Sequence, residues 1–228
     1  MSNVLCLVAS TSVLPSGAPT GFWLEELAAP YARFEAAGYE VEIGSVTGGR
    51  AAPDPASLQG PFLTRDGEEF LADRGAMAKL EETLPLSAIV AEDYAAVYLV
   101  GGVPAALDFD HNPLLDRLIT TLVRQHKPVA AVCHGVVGLA SATGLDGTLL
   151  AKGHPMTGFS RLEEELFNLL DVVAVVPEDR LRSVGAVYCC ADVAFGVCVA
   201  EGPLFVTGQN PASAGPAAAA LIARIGRR

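Results

Sequence analysis

The chain has 228 residues, 51% of them apolar, and a formal charge of −11 from 26 acidic and 15 basic side chains. That length can bury the core of one sizeable α/β domain over residues 1–228, and a mean hydropathy of +0.38 excludes a disordered chain. The acidic balance, with no Lys/Arg run, argues against nucleic acid or an anionic membrane as the main partner.

In chain order, Val4–Ala9 is a short apolar run that reads as a buried strand, and Ser10–Pro19 is a loop. Phe22–Ala37 has helical spacing, with Leu24, Leu27, Ala28, Tyr31 and Phe34 on one side and Gly38 in the C′ position. Tyr39–Gly44 is a second strand. Residues 48–67 are too rich in Pro and Gly for a regular element and too long for a plain connection, so a cap over a site is expected there. Glu68–Leu84 is helical. Tyr94–Val100 is a strand that ends in Gly101-Gly102, and Pro113–Gln125 is a helix with Pro at its start. Pro128–Val132 is a strand that stops at Cys133, with a small-residue helical pattern following through Ala142. Arg161–Leu170 is helical and is followed by the apolar run Val172–Val176. Val193–Val199 and Leu204–Thr207 read as a hairpin, and Ala212–Ile225 is an Ala-rich closing helix.

Strands alternating with helices imply a mainly parallel sheet covered on both faces, with the site beyond the carboxyl ends of the strands. The loop after the first strand, Gly101-Gly102 and Cys133 all fall there. No run of about 18 apolar residues predicts a membrane span. The N-terminus lacks a basic n-region and reads as mature cytosolic sequence. The cysteines, Cys6, Cys133, Cys189, Cys190 and Cys198, are odd in number and lack CxxC spacing, which suggests neither a disulfide framework nor a zinc site. A reducing, cytoplasmic compartment fits. Without GxGxxG after the first strand or a Walker A motif, no nucleotide cofactor is expected.

Free cysteine usually packs as a small hydrophobe. The Cys133-His134-Gly135 run at a strand end instead reads as a strand–nucleophile–helix turn. A helix N-terminus there would lower the thiol pKa from about 8.5 toward roughly 3.5–7.5. A catalytic thiol also needs a base within about 3 Å. Of the four histidines, His134 adjoins it, His126 reads as a surface residue, His111 as a loop residue that could border the pocket, and His154 as a lesser candidate. Glu25 and Glu26 open the first helix. A glutamate buried there and held protonated could hydrogen-bond a thiolate. Glu163, Glu164 and Glu165 are candidates to orient an imidazole. Amides at Gly101-Gly102, with that of His134, could bind an oxyanion. The vicinal pair Cys189-Cys190 is expected to pack in the core.

Six stretches carry a resemblance that runs in order along nearly the whole chain: residues 20–49, DPASL (54–58), EDYAAVYLVGG (92–102), KPVAAVCHGVVGL (127–139), TGFSRLEEE (157–165) and VTGQNPASA (206–214). The sequence resembles the DJ-1/PfpI superfamily and, within it, the Hsp31-like class of glyoxalase and chaperone proteins. The resemblance implies a flavodoxin-like three-layer sandwich with a nucleophile elbow, in a protein that is commonly a homodimer. It implies Cys133 as nucleophile, His134 as its partner, and Glu26, four residues before Pro30, as the thiol contact. It places Glu164 as the acid that orients the histidine, with Glu163 as the alternative register, and the amides of Gly102 and His134 as the oxyanion hole. This chain reads Gly101-Gly102-Val103-Pro104 where family members often read Gly-Gly-His-Gly, so a pocket histidine is replaced. The implied activity is a cofactor-free, glyoxalase III-type conversion of a small-molecule aldehyde, such as methylglyoxal, to a 2-hydroxy acid such as D-lactate. The alternatives are a cysteine amidase or peptidase, and a redox-sensing, chaperone-like stress protein whose thiol is oxidised to sulfinic acid.

Overall fold

In the computed structural model, which describes residues 3–226, the first strand already shows how the chain is layered. In β1 (Asn3–Val8), Val4, Cys6 and Val8 enter one apolar core, Leu5 and Leu7 the other, and all five are buried. Then follow α1 (Leu24–Ala36), β2 (Glu40–Ser45), α2 (Arg65–Ala72), α3 (Arg74–Glu81), β3 (Leu84–Pro85) and β4 (Tyr94–Leu99). The second half runs α4 (Ala105–Asp108), α5 (Pro113–Arg124), β5 (Val129–Val132), α6 (Val137–Ala140), β6 (Pro155–Met156), α7 (Arg161–Leu166) and α8 (Pro177–Ser183). It closes with β7 (Val187–Tyr188), β8 (Val199–Glu201), β9 (Phe205–Gly208) and α9 (Pro211–Ile225).

The main sheet has the order β3-β2-β1-β4-β5-β9-β8. Its pairings are parallel except β8 with β9, and β6 with β7 forms a separate parallel pair. The core on the Val4 side is built from α1, α2, α3 and α9, and that on the Leu5 side from α4, α5, α6 and α8. This is the expected three-layer flavodoxin-like α/β arrangement. The chain runs from β1 outward to β2 and β3, then returns to the other side of β1 as β4. That reversal leaves a crevice beyond the carboxyl ends of β1 and β4, next to β5. The Asp108 carboxylate ties α4 to the loop after β1, accepting the Ser10 and Thr11 N–H groups at 2.6 and 2.9 Å.

Several elements differ from the sequence reading. The helix expected over Glu68–Leu84 is two helices, because the Asp73 side chain accepts the N–H groups of Gly75 and Ala76 and starts α3 afresh. Within residues 48–67 the chain makes two 3-10 turns, Pro55–Leu58 and Gly60–Phe62, and Thr64 then caps α2. The helix expected over Arg161–Leu170 stops at Leu166, with Asn168 in the left-handed region. Residues 172–176 form no regular element, and the helix after them, α8, begins at a proline that had no apolar periodicity to reveal it. The first hairpin strand shrinks to β8, since residues 189–198 loop outward with Phe195 left-handed at φ 62°. Cys189 and Cys190 lie on that loop and are exposed, not packed in the core. Among the described residues, no helix is long and apolar enough to cross a membrane.

Candidate active site

β5 is fully buried, and the chain leaves it at Cys133 through a left-handed turn, φ 56°. That conformation costs roughly 1–2 kcal/mol for a residue with a β-carbon, so the surrounding packing must hold it. Gly135 makes the packing possible: a β-carbon there would lie 2.7 Å from the Leu99 carbonyl oxygen and 2.9 Å from that of Val100. Residues Cys133–Val136 form a 3-10 turn that leads into the single turn of α6.

The His134 ring sits between two partners. Its Nδ1 is 3.2 Å from Cys133 Sγ, and its Nε2 is 2.9 Å from Glu164 Oε1. Both the histidine and the glutamate are shielded from solvent. A hydrogen on Nε2 donated to Glu164 leaves Nδ1 free to accept the thiol proton, so the three side chains form a Cys–His–Glu relay. Phe159 lies against the imidazole, ring centroids 5.1 Å apart and planes tilted by 30°.

Glu26, in the first turn of α1, is fully buried and faces Cys133 and the Gly101 backbone at contacts looser than a full hydrogen bond. Burial pushes its pKa up to about 8, against weaker stabilisation of the carboxylate by Cys133 and Gly101. At neutral pH it is a neutral carboxylic acid beside the thiol. Burial also pushes the Cys133 thiol well above its ordinary value. The expected lowering by a helix N-terminus is therefore overturned for the resting site. α6 is a single turn with little dipole to offer, and desolvation outweighs it.

Gly102 holds φ 108°, and a β-carbon there would lie 2.6 Å from the Gly21 carbonyl oxygen. Only glycine fits. Gly102 and Cys133 line the same cavity. Among the described residues the Gly102 N–H has no backbone partner, and the His134 N–H reaches the Cys133 sulfur. The unpartnered Gly102 amide thus belongs to a residue that lines the cavity beside the thiol that the His134 amide meets.

The cavity over the thiol has a volume of about 490 Å³. Cys133, His134, Glu26 and Gly102 form one part of its lining, and Val103 stands next to Gly102 in it. The other candidates lie elsewhere. Glu25 accepts a hydrogen bond from Thr64, His111 pairs with Arg180, and neither His126 nor His154 lines the cavity. Glu163 is turned away from His134. Its Oε2 accepts the Ser160 N–H and hydroxyl in a capping box, and its Oε1 accepts the Phe195 N–H and the Asn210 amide, both at 2.8 Å.

The sequence reading missed the aromatic wall. Trp23, Phe62, Phe167, Phe159 and Phe195 surround the cavity in edge-on and tilted pairs, with centroid separations of 5.1–6.5 Å. Trp23, Phe159 and Phe167 each stand within five residues of Glu26 or Glu164, which was the available signal. Phe62 falls within the expected cap, residues 48–67.

A family model described as the DJ-1/PfpI family matches residues 17–215. The chain belongs to the DJ-1/PfpI family. A curated relative, the probable glutathione-independent glyoxalase hsp3103 of Schizosaccharomyces pombe, is 28% identical over 87% of each chain. Among solved structures, the Rapid Encystment Protein 24 KDa of Francisella tularensis superimposes with a TM-score of 0.93 at 30% identity, covering 99% of both chains. Glyoxalase III of Candida albicans superimposes with a TM-score of 0.89 at 24% identity, covering 98% of this chain and 97% of its own, and shares the DJ-1/PfpI fold.

Proposed function

We propose that this chain is a cofactor-independent enzyme of the glyoxalase III type, a lyase that converts 2-oxoaldehydes such as methylglyoxal to 2-hydroxy acids such as D-lactate. The observation that carries the reading is the buried relay from Cys133 Sγ through His134 to Glu164 Oε1, beside a neutral Glu26. The glyoxalase names of its relatives support an enzyme of this class.

The thiol proton passes to His134 Nδ1, and sulfur adds to the aldehyde carbon. The carbonyl electron pair moves to oxygen, which the Gly102 and His134 amides hold. The imidazolium then protonates that oxygen to give a neutral hemithioacetal. His134 next takes the proton from the former aldehyde carbon. The released pair forms a carbon–carbon double bond while the ketone oxygen takes the Glu26 proton, giving an enediol. The imidazolium protonates the second carbon, and the first hydroxyl returns its proton to Glu26, leaving the thioester of a 2-hydroxy acid. Water cleaves the thioester, which releases the acid and restores the thiol. With Val103 replacing the family's usual histidine, these transfers fall to His134 and Glu26 alone. The 48–67 segment, through Phe62, would act as the cap. The protein would work as a homodimer in a reducing cytoplasm.

Lactate formation from methylglyoxal tests the reading. Wild type should produce it and Cys133→Ala should not. Undiminished lactate from the variant would overturn the mechanism, and amide or peptide hydrolysis without 2-hydroxy acid would favour a hydrolase.

A further inference from the structure

The cavity is far larger and less polar than a three-carbon aldehyde requires. Its volume of about 490 Å³ lies within the roughly 300–1,000 Å³ common for drug-sized ligands. No lysine, arginine, serine or threonine lines it. Among the described lining residues away from Cys133, His134 and Glu26, the polar side-chain groups are the Trp23 indole N–H, a donor only, and the Asn210 amide, which is already committed. Its Nδ2 donates to Glu163 Oε1 and the Gly196 carbonyl, and its Oδ1 accepts the Ser213 N–H and hydroxyl. Beyond that single indole donor, a hydroxylated or carboxylated substituent would therefore lose its water without gaining partners.

The aromatic wall offers the complementary surface. Phe167 stands at the centre of the cage, meeting Trp23 at 83°, Phe195 at 66° and Phe62 at 50°. A further flat ring can continue this edge-on pattern. Phe62 and Phe195 are more than one-third exposed although both border the cavity, so apolar surface is left for a ligand to cover. Phe195 is also held in a left-handed backbone conformation, φ 62°, by the bond from its N–H to Glu163. Such strain in a bulky residue persists only where the surroundings over-determine it. Phe159, against the His134 imidazole, joins this cage to the thiol.

We propose that the site selects aryl 2-oxoaldehydes, compounds of the phenylglyoxal type, over methylglyoxal, with the ring in the cage of Trp23, Phe62, Phe159, Phe167 and Phe195. This rests on the glyoxalase reading above and names its substrate class. The bond changes are those already given, with phenyl in place of methyl and mandelate as product.

The test measures kcat/KM of the full chain for phenylglyoxal, methylglyoxal and the straight-chain 2-oxooctanal, which has as many carbons as phenylglyoxal. Phenylglyoxal should exceed each of the others by about tenfold or more, on the scale set by apolar pocket contacts. Phe195→Ala should lower the phenylglyoxal-to-methylglyoxal ratio by a similar factor, and Phe195→Leu by less. Equal or better use of methylglyoxal, equal use of 2-oxooctanal, or an unchanged ratio in Phe195→Ala would overturn the proposal. If wild type turns over none of the three, the glyoxalase reading fails, and the cage is tested separately with acetophenone, an unreactive aryl ketone. Trp23 is the only tryptophan in the chain, so its fluorescence reports binding directly. Saturable quenching that Phe195→Ala weakens supports the aryl site, and no saturable quenching overturns it.

Discussion

His134 Nε2 meets Glu164 Oε1 at 2.9 Å with both side chains out of reach of solvent. The carboxylate accepts the Nε2 hydrogen and so keeps Nδ1 unprotonated toward the Cys133 sulfur. A neutral amide in its place can turn its NH2 group to Nε2, which stabilises the opposite tautomer and points a hydrogen at the thiol.

Glu164→Gln should therefore keep the fold, as circular dichroism would show, and lower kcat by up to roughly 10⁴-fold, the loss that the matching Asp→Asn change causes in a Ser-His-Asp triad. The check is kcat for 2-oxoaldehyde turnover across pH. A variant with wild-type kcat would remove Glu164 from the relay.

Glu26 should leave a signature in stability against pH. Burial raises its folded pKa from 4.5 to about 8, so the folded state holds the proton more tightly than the unfolded state. Its contribution is fully present below pH 4.5 and is lost as pH rises toward 8, with a slope of up to about 1.4 kcal/mol per unit. Glu26→Gln cannot ionise and should lack this slope. Denaturant unfolding at pH 5, 6.5 and 8 should show the variant gaining on wild type as pH rises. Parallel stability curves would contradict a buried, neutral Glu26.

Glu163 serves the cavity wall and not the relay. Glu163→Gln keeps an acceptor for only one side of the site, and its NH2 group meets either the Ser160 donors or those of Phe195 and Asn210. The unpaired buried groups should cost about 1–3 kcal/mol, read from the denaturant midpoint. Releasing Phe195 should raise KM for phenylglyoxal by a larger factor than kcat falls. A fall in kcat alone would assign Glu163 to the chemistry instead.

Periodicity and punctuation made the layered architecture legible. Val4–Ala9 and Tyr94–Val100 announced buried strands, Phe22–Ala37 an amphipathic helix, and the Cys133-His134-Gly135 run an elbow at a strand end. These are local signals, because a strand or helix face is written in neighbouring residues. The places where local reading failed are those where a side chain ended or bent an element. Asp73 divided one helix into two, and the left-handed residues Asn168 and Phe195 shortened a helix and a strand.

The sequence read residue by residue put Cys133 at the carboxyl end of a parallel strand, and the family resemblance singled out Glu26 over Glu25 and Gly102 as its companions. Tertiary structure decided what surrounds it. Glu164 rather than Glu163 meets His134 because Ser160 captures Glu163 in a capping box, which fixes the rotation of α7. The thiol is raised instead of lowered because the packed layers desolvate it more than one short helical turn can stabilise its charge. The aromatic cage comes from residues as far apart as Trp23 and Phe195. No local pattern records that proximity, since it arises only when separate loops meet over the same end of the sheet.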